Sequence, residues 1–307
     1  MVIDSLVPIL AATIAAGTPL VFAALGELVT EKAGVLNLGV EGMMLIGAIA
    51  GFATAVTTGN LWLGSVAGMA AGAAMSAIFA VLTLNLMANQ VASGLALTLF
   101  GLGLSAFVGK PFEGVSLLRE GAPSLPLLGD LPVLGPILFR QHYLVYVSWA
   151  VFAAVSWFLF RSRAGLVLRS VGESPDSAHA IGYPVIRIRW LATLFGGALA
   201  GLGGAFLAVF YAPMWVEGMV AGRGWIALAL VVFATWRPAR VMIGAYLFGG
   251  VTIAQFFAQG GGIAIPAPFL SALPYLATII VLVVISRNVA TIRLNSPVSL
   301  GRSYRPD

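Results

Sequence analysis

The sequence predicts an all-α, polytopic membrane helical bundle of about nine transmembrane helices, within a range of eight to ten. Three observations carry that prediction. The 307 residues are 60% hydrophobic. Only 9% are charged, against roughly a quarter in a soluble domain. Apolar runs of roughly 20 residues, each long enough to cross a bilayer as a helix, recur along the whole length. No polar stretch between them could form a soluble domain, so residues 1–307 read as one integral membrane domain.

The spans read 6–26, 35–56, 62–86, 91–109, 143–160, 190–211, 218–236, 241–259 and 271–286. The first follows Asp4 and no Lys or Arg, so it lacks the basic leader of a secretory signal and reads as a retained helix. The second, in AGVLNLGVEGMMLIGA, carries Asn37 and Glu41 beside Gly39 and Gly42. Those glycines mark an irregular or broken helix, which membrane depth tolerates only against protein or a cavity. Two readings stand for Glu41: a structural turn whose carboxylate is satisfied by neighbouring backbone, or the lining of a solute path. On the third span Gly64, Gly68 and Gly72 repeat every four residues, continued by Ser76 and Ala80, and the sixth repeats the pattern at Gly197 and Gly201. Small faces let backbones approach closely, as helix packing inside one subunit and a subunit interface both require. Asn89 and Gln90 open the fourth span at its edge, an interfacial position.

Between the spans, 110–142 holds Pro111, Pro123, Pro126, Pro132 and Pro136 and reads as an ordered, irregular extracytoplasmic cap. A second outer connection, Gln259–Pro268, is rich in Gly and Pro. The run from Trp215 to Trp225 offers Glu217 and Arg223 as a pair at the outer mouth, with two indoles able to stack on a planar ring. Anchoring at the membrane interface is the competing reading of those indoles.

Arg161–Trp190 is the most basic polar interruption. It centres on a short helix with Ser174 as N-cap, Pro175 in its first position, Asp176 in its first turn and Gly182 as a left-handed stop. Twelve of the 16 Lys and Arg fall on the side of this loop; Lys110, Arg119, Arg140 and Arg223 fall on the other. The positive-inside rule then puts the loop in the cytoplasm, the N-terminus outside and the C-terminus inside. A capped helix on a basic cytoplasmic loop is shaped to be gripped by a cytoplasmic partner.

Catalytic signals are missing. The chain has no cysteine, which excludes disulfides, thiolate metal sites and cysteine nucleophiles. His142 and His179 lie in separate loops, and there is no His-Glu-x-x-His pair, no Gly-x-Ser-x-Gly elbow and no Gly-rich loop ending in Lys-Ser or Lys-Thr. The expectation is a chain that is not an enzyme and binds no metal or cofactor of its own. The formal charge of +5 reflects topology, so membrane lipid is an expected neighbour and nucleic acid is not. A secondary transporter would need several acids inside its spans, and Glu41 reads as the only clear one.

Four stretches read together, AGVLNLGVEGMMLIGA, NQVASGLALTLFGLGLSA, VGESPDSAHAIGYPV and EGMVAGRGWIALALVVFATWRP, resemble the permease subunits of bacterial ABC importers. The group they most resemble is the nucleoside-type branch of the family that also holds ribose-type and branched-chain amino-acid permeases. The resemblance implies that the 161–190 loop supplies a coupling helix through a Gly-Glu-x-Pro-x-x-Ala-x-x-x-Gly pattern, filled here by Gly172, Glu173, Pro175, Ala178 and Gly182, with Ser174 as the cap. It implies a separate ATP-binding subunit that holds ATP and Mg, an extracytoplasmic solute-binding protein and a second, related permease subunit. It implies a bacterial inner-membrane location and import of nucleosides or related purines and pyrimidines, with simple sugars as the alternative. Asn37, Glu41, Trp215, Glu217, Arg223 and Trp225 are then the candidates for the solute path.

Overall fold

Glycine spacing and backbone breaks, more than hydropathy, decide how the spans pack. A computed structural model of the chain describes residues 2–118, 129–260, 266–286 and 295–305. Within them the α-helices are α1 (Val2–Lys32), α2 (Val40–Thr58), α3 (Leu61–Ala80), α4 (Gln90–Gly109), α5 (Tyr143–Arg161), α6 (Arg163–Glu173), α7 (Pro175–Ala180), α8 (Val185–Phe206), α9 (Arg223–Phe233), α10 (Pro238–Gly260) and α11 (Ala267–Ser286). Single π-turns prolong α3 over Val81–Asn85 and α8 over Leu207–Tyr211. Among the described residues seven helices are long and apolar enough to cross a membrane: α1, α2, α3, α4, α5, α8 and α10. The helix α11, of 20 residues, covers the ninth expected span.

The seventh expected span, 218–236, is not a full crossing. The helix α9 has only 11 residues, about 16 Å of rise against a hydrocarbon core of about 30 Å. The chain before it turns through left-handed backbone at Gly218, Ala221 and Gly222, with φ of 68°, 51° and 81°. That conformation cannot continue a right-handed helix.

The most enclosed of the seven spans is α8 with its π-turn, held among α1, α2 and α3. Its glycines let three backbones come close. A methyl on Gly26 of α1 would lie 2.8 Å from the Gly196 carbonyl oxygen. One on Gly203 would lie 2.8 Å from the carbonyl of Pro19, so α1 and α8 run antiparallel. Gly47 of α2 and Gly72 of α3 both abut the Gly201 backbone so tightly that a methyl on either would collide. Gly51 meets Ala205, which makes α2 parallel to α8. The small-residue stripes on the third and sixth spans therefore serve packing within this chain. No larger side chain could bury comparable dispersion contact at such separations.

The irregular cap takes shape in its described parts. The Leu117 amide donates to the Pro213 carbonyl at 2.9 Å, and isolated bridges join Glu113 to Trp215 and Ser116 to Met214. Arg119, Pro123, Pro126, Arg287 and Arg293 lie outside the described residues, as does the middle of the Gln259–Pro268 connection.

Candidate functional site

Two helix breaks meet inside the helical bundle, and Glu41 joins them. The chain leaves α1 at Lys32, runs back alongside it through 33–39, and starts α2 at Val40. Gly47 of α2 lies level with Gly201 of α8. Six residues earlier, Glu41 therefore sits level with about residue 195, about 15 Å beyond the first turn of α8 at 1.5 Å per residue. The short helix α9 begins at the same depth. The amides of Gly222 and Gly224, at its N-terminus, donate to Glu41 Oε1 and Oε2 at 2.8 and 2.7 Å. A methyl on Gly224 would lie 2.5 Å from the Glu41 backbone, so glycine is required for this approach. The carboxylate closes the start of α9 with charge-assisted bonds and lies in the first turn of α2, where both helix dipoles favour negative charge. Its satisfaction by backbone is the structural reading of Glu41, with one difference: the donors come from a segment about 180 residues away.

The neighbouring break is held by buried side chains, although Glu27 Oε2 and Gln90 Nε2 lack a partner among the described residues. Asn37 is fully buried; its Oδ1 accepts from the Gly39 amide at 2.9 Å, and its backbone N–H donates to Glu27 Oε1 at 3.1 Å. The Leu36 amide donates to Gln90 Oε1 at 2.8 Å, and Thr98 Oγ1 donates to the Leu38 carbonyl at 3.0 Å. The α9 exit is tied the same way. Thr235 and Trp236 both have positive φ, and the Trp236 indole N–H donates to Glu31 Oε2.

Glu27 and Glu31 were not anticipated as site residues. The expected first span, 6–26, stops just short of them. Both are buried, on the first continuous helix. Their spacing of four residues puts them on one helical face, a signal available in the sequence. Among the described residues Glu27, Glu31 and Glu41 are the buried carboxylates, which corrects the reading of Glu41 as the only clear acid within the spans.

The other path candidates separate. Trp215 is 2% exposed, packed with Ala48, Ile49, Phe52 and Ala208 and pressed against Gly109, where a methyl would strike its indole. It is not open to stack on a solute ring here. Arg223 lies at the start of α9, beside Glu41. Its Nη1 donates to the carbonyls of Met219 and Val220 at 3.0 and 3.1 Å. No ion pair joins it to Glu217 among the described residues. Glu217 is exposed, and Trp225 is 49% exposed on the first turn of α9.

The basic loop holds two helices where one was expected. The helix α6 directly follows α5, with Ser162 Oγ capping it from the Gly165 amide. The helix α7 has the expected ends. Ser174 Oγ accepts from the Ser177 amide at 3.3 Å, and Pro175 fills the first position. Gly182, at φ 91°, donates to His179 O at 2.8 Å, and Tyr183 donates to Ala178 O at 3.0 Å, a Schellman stop. Ala178 is buried with Val171, Val185 and Tyr304, while Glu173, His179 and Ile181 face outward. Gly172 is pressed against the Lys32 carbonyl, so α7 hangs from the junction of α1, α6 and α8. Arg189, counted among the loop cations, is instead 1% exposed within α8.

Among the described residues no group of three or more His, Cys, Asp or Glu could hold a metal ion. The geometry is a discontinuous-helix centre at depth and a rigid, outward-facing helix at the basic end.

The family described as "Branched-chain amino acid transport system / permease component" matches residues 9–285. Over 96% of this chain and 97% of its own length, a Haloferax volcanii protein named "Putative glucose ABC transporter permease protein TsgC13" is 42% identical. The nucleoside ABC transporter permease protein NupC of Lactococcus lactis is 37% identical over 92% of this chain and 93% of its own. The guanosine ABC transporter permease protein NupQ of Bacillus subtilis is 34% identical over 89% and 90%. Each of these organisms also holds a second relative (TsgB13, NupB and NupP), between 24% and 26% identical to this chain. No solved structure matches.

Proposed function

This chain belongs to the branched-chain amino acid transport system permease family, and from that premise we propose that it is the transmembrane subunit of an ATP-driven importer of nucleosides or related purines and pyrimidines. It works by alternating access in the plasma membrane, paired with a second, related permease. The occurrence of two such relatives in Haloferax volcanii, Lactococcus lactis and Bacillus subtilis supports the pairing. A separate ATP-binding subunit holds ATP and Mg, and an extracytoplasmic binding protein delivers the solute. In this reading the loop end is cytoplasmic and the N-terminus outside.

The capped α7 is the observation that carries the ATP-driven part. A free six-residue helix is unstable in water; here the N-cap, proline and Schellman stop fix it, and Ala178 nails it to the spans. A rigid projection so mounted passes a push from a cytoplasmic ATPase into α1, α6 and α8. Gly172, Glu173, Ser174, Pro175, Ala178 and Gly182 are its parts.

The nature of the solute is supported by likeness to the two nucleoside-type permeases and by the state of the central site. Half-helix N-termini at mid-membrane attract anionic solutes. Here Glu41 already occupies those amides, so the position favours a neutral solute, as nucleosides are. Sugars are neutral too, and the 42% likeness to TsgC13 makes a simple-sugar importer the second reading.

Uptake of labelled guanosine, uridine, ribose and glucose into cells with and without this chain tests both. Loss of nucleoside uptake alone upholds the first reading. Loss of sugar uptake alone replaces it with the second. Transport by this chain in vesicles without any ATPase would overturn the importer reading itself.

A further inference from the structure

We infer that the segment 295–305 forms the second wall of the ATPase-docking platform, facing α7 across a largely apolar groove, with Arg187 on its wall, that seats a carboxylate-bearing ridge of the ATP-binding subunit. The inference rests on the docking role proposed for α7.

The segment is built into the loop. Both the amide and Oγ of Ser299 donate to the Gly172 carbonyl, at 3.0 and 2.6 Å. The Gly301 amide donates to Gly34 O at 3.2 Å, and Lys32 Nζ donates to Asn295 O at 2.6 Å. The buried Arg189 guanidinium collects the parts: Nε to Ala33 O at 3.1 Å, Nη1 to Arg302 O at 3.0 Å and Nη2 to Ser299 Oγ at 3.0 Å. A guanidinium suits such a junction because its donors lie in a fixed fork. Tyr304 then enters the small core beneath α7 with Val171, Ala178 and Val185. Arg189 is a positioning residue: it fixes this segment, the end of α1 and the start of α8 in one register.

What the segment leaves is a groove of about 480 Å³, walled by His179, Pro184, Arg187, Trp190 and Tyr304 among others. One side belongs to α7 and the other to Tyr304, so the groove is continuous with the surface already assigned to docking. Arg187 is exposed on its wall, and Arg302 and Arg305 are exposed on the segment. Among the described residues no acidic side chain lines the groove. The lining is largely apolar, with Trp190 and Tyr304 as its aromatic side chains and Arg187 as its one arginine, so it suits an apolar ridge whose carboxylate meets Arg187.

The complete importer, reconstituted in proteoliposomes with its binding protein and guanosine, gives two readouts: ATP-binding subunit retained on pull-down of this chain, and solute-stimulated MgATP hydrolysis. Arg187→Glu, on the exposed wall, lowers retention at least tenfold, and Arg187→Lys recovers most of the loss. Ser299→Ala, which loosens the segment without touching the groove, lowers stimulated hydrolysis several-fold at normal membrane levels. Gly182→Leu, in α7 alone, serves as the comparison. If Gly182→Leu uncouples the importer while Arg187→Glu and Ser299→Ala behave as wild type, the segment has no docking role and the α7 reading survives. If all three behave as wild type, both fall.

Discussion

Glu41→Ala is the perturbation that most directly tests the central site. The carboxylate accepts two backbone amides, from Gly222 at 2.8 Å and Gly224 at 2.7 Å, at a buried position. A hydrogen bond to a charged group is worth about 1.5–3 kcal/mol net, so the pair holds the starts of α2 and α9 together with ~3–6 kcal/mol. Alanine removes both acceptors and leaves the buried Gly224 N–H and the half-buried Gly222 N–H without them. Glu41→Gln keeps the shape but sets an NH2 against one donor, so it should cost at least half as much. Purified protein in detergent, titrated with denaturant, gives the stability change; guanosine uptake in proteoliposomes gives the function. Both variants should be destabilised in that order, with uptake falling at least tenfold for alanine. Coupling to Gly224 should appear in a double-mutant cycle: Gly224→Ala, which pushes on the Glu41 backbone, should cost much less when Glu41 is already alanine. Wild-type stability and uptake in Glu41→Ala would refute the clamp. Strict additivity in the cycle would refute the contact.

Gly72→Leu should abolish folded protein in the membrane, because even a methyl there collides with the α8 backbone, whereas Gly103→Leu on the open face of α4 should express normally; quantitative membrane blots check both. Gly182→Val or a bulky residue at Glu173 should leave insertion intact but lower ATPase association and uptake together, since a β-branched residue at φ 91° strains the α7 stop by about 1–2 kcal/mol or more. Trp236→Phe should destabilise the protein by about 1–3 kcal/mol in denaturant titration, because it leaves Glu31 Oε2 without its indole donor. Trp225→Ala should shift solute preference in a nucleoside panel more than it shifts ATPase retention, since the half-exposed indole sits beside the helix break and far from α7 in the chain.

Much of the molecule was readable from the residues alone. Hydropathy located the membrane crossings, the 218–236 stretch excepted, because burying a polar segment in lipid is prohibitive, and the Ser-Pro…Gly punctuation placed the start and stop of α7 because capping is a local property of the backbone. The break in the second span was legible from its glycines for the same reason. Tertiary structure decided the rest. Only the packed bundle shows that the 218–236 stretch folds back to bring Gly222 and Gly224 onto Glu41, because donor and acceptor lie about 180 residues apart and neither segment's local pattern names the other. The same holds for Trp215, whose indole reads equally as anchor, stacking platform or core until Gly109 is seen beneath it. Glu27 and Glu31 look like the end of a span in one dimension and become interior once 33–39 and Trp236 supply their donors. Arg189 reads as one more loop cation by composition; the carbonyls of Ala33 and Arg302 and the Ser299 hydroxyl, from segments separated by more than a hundred residues, make it the centre of the basic end. Local chemistry writes helices, caps and breaks into the sequence, while the partners that satisfy a buried charge are chosen by the fold.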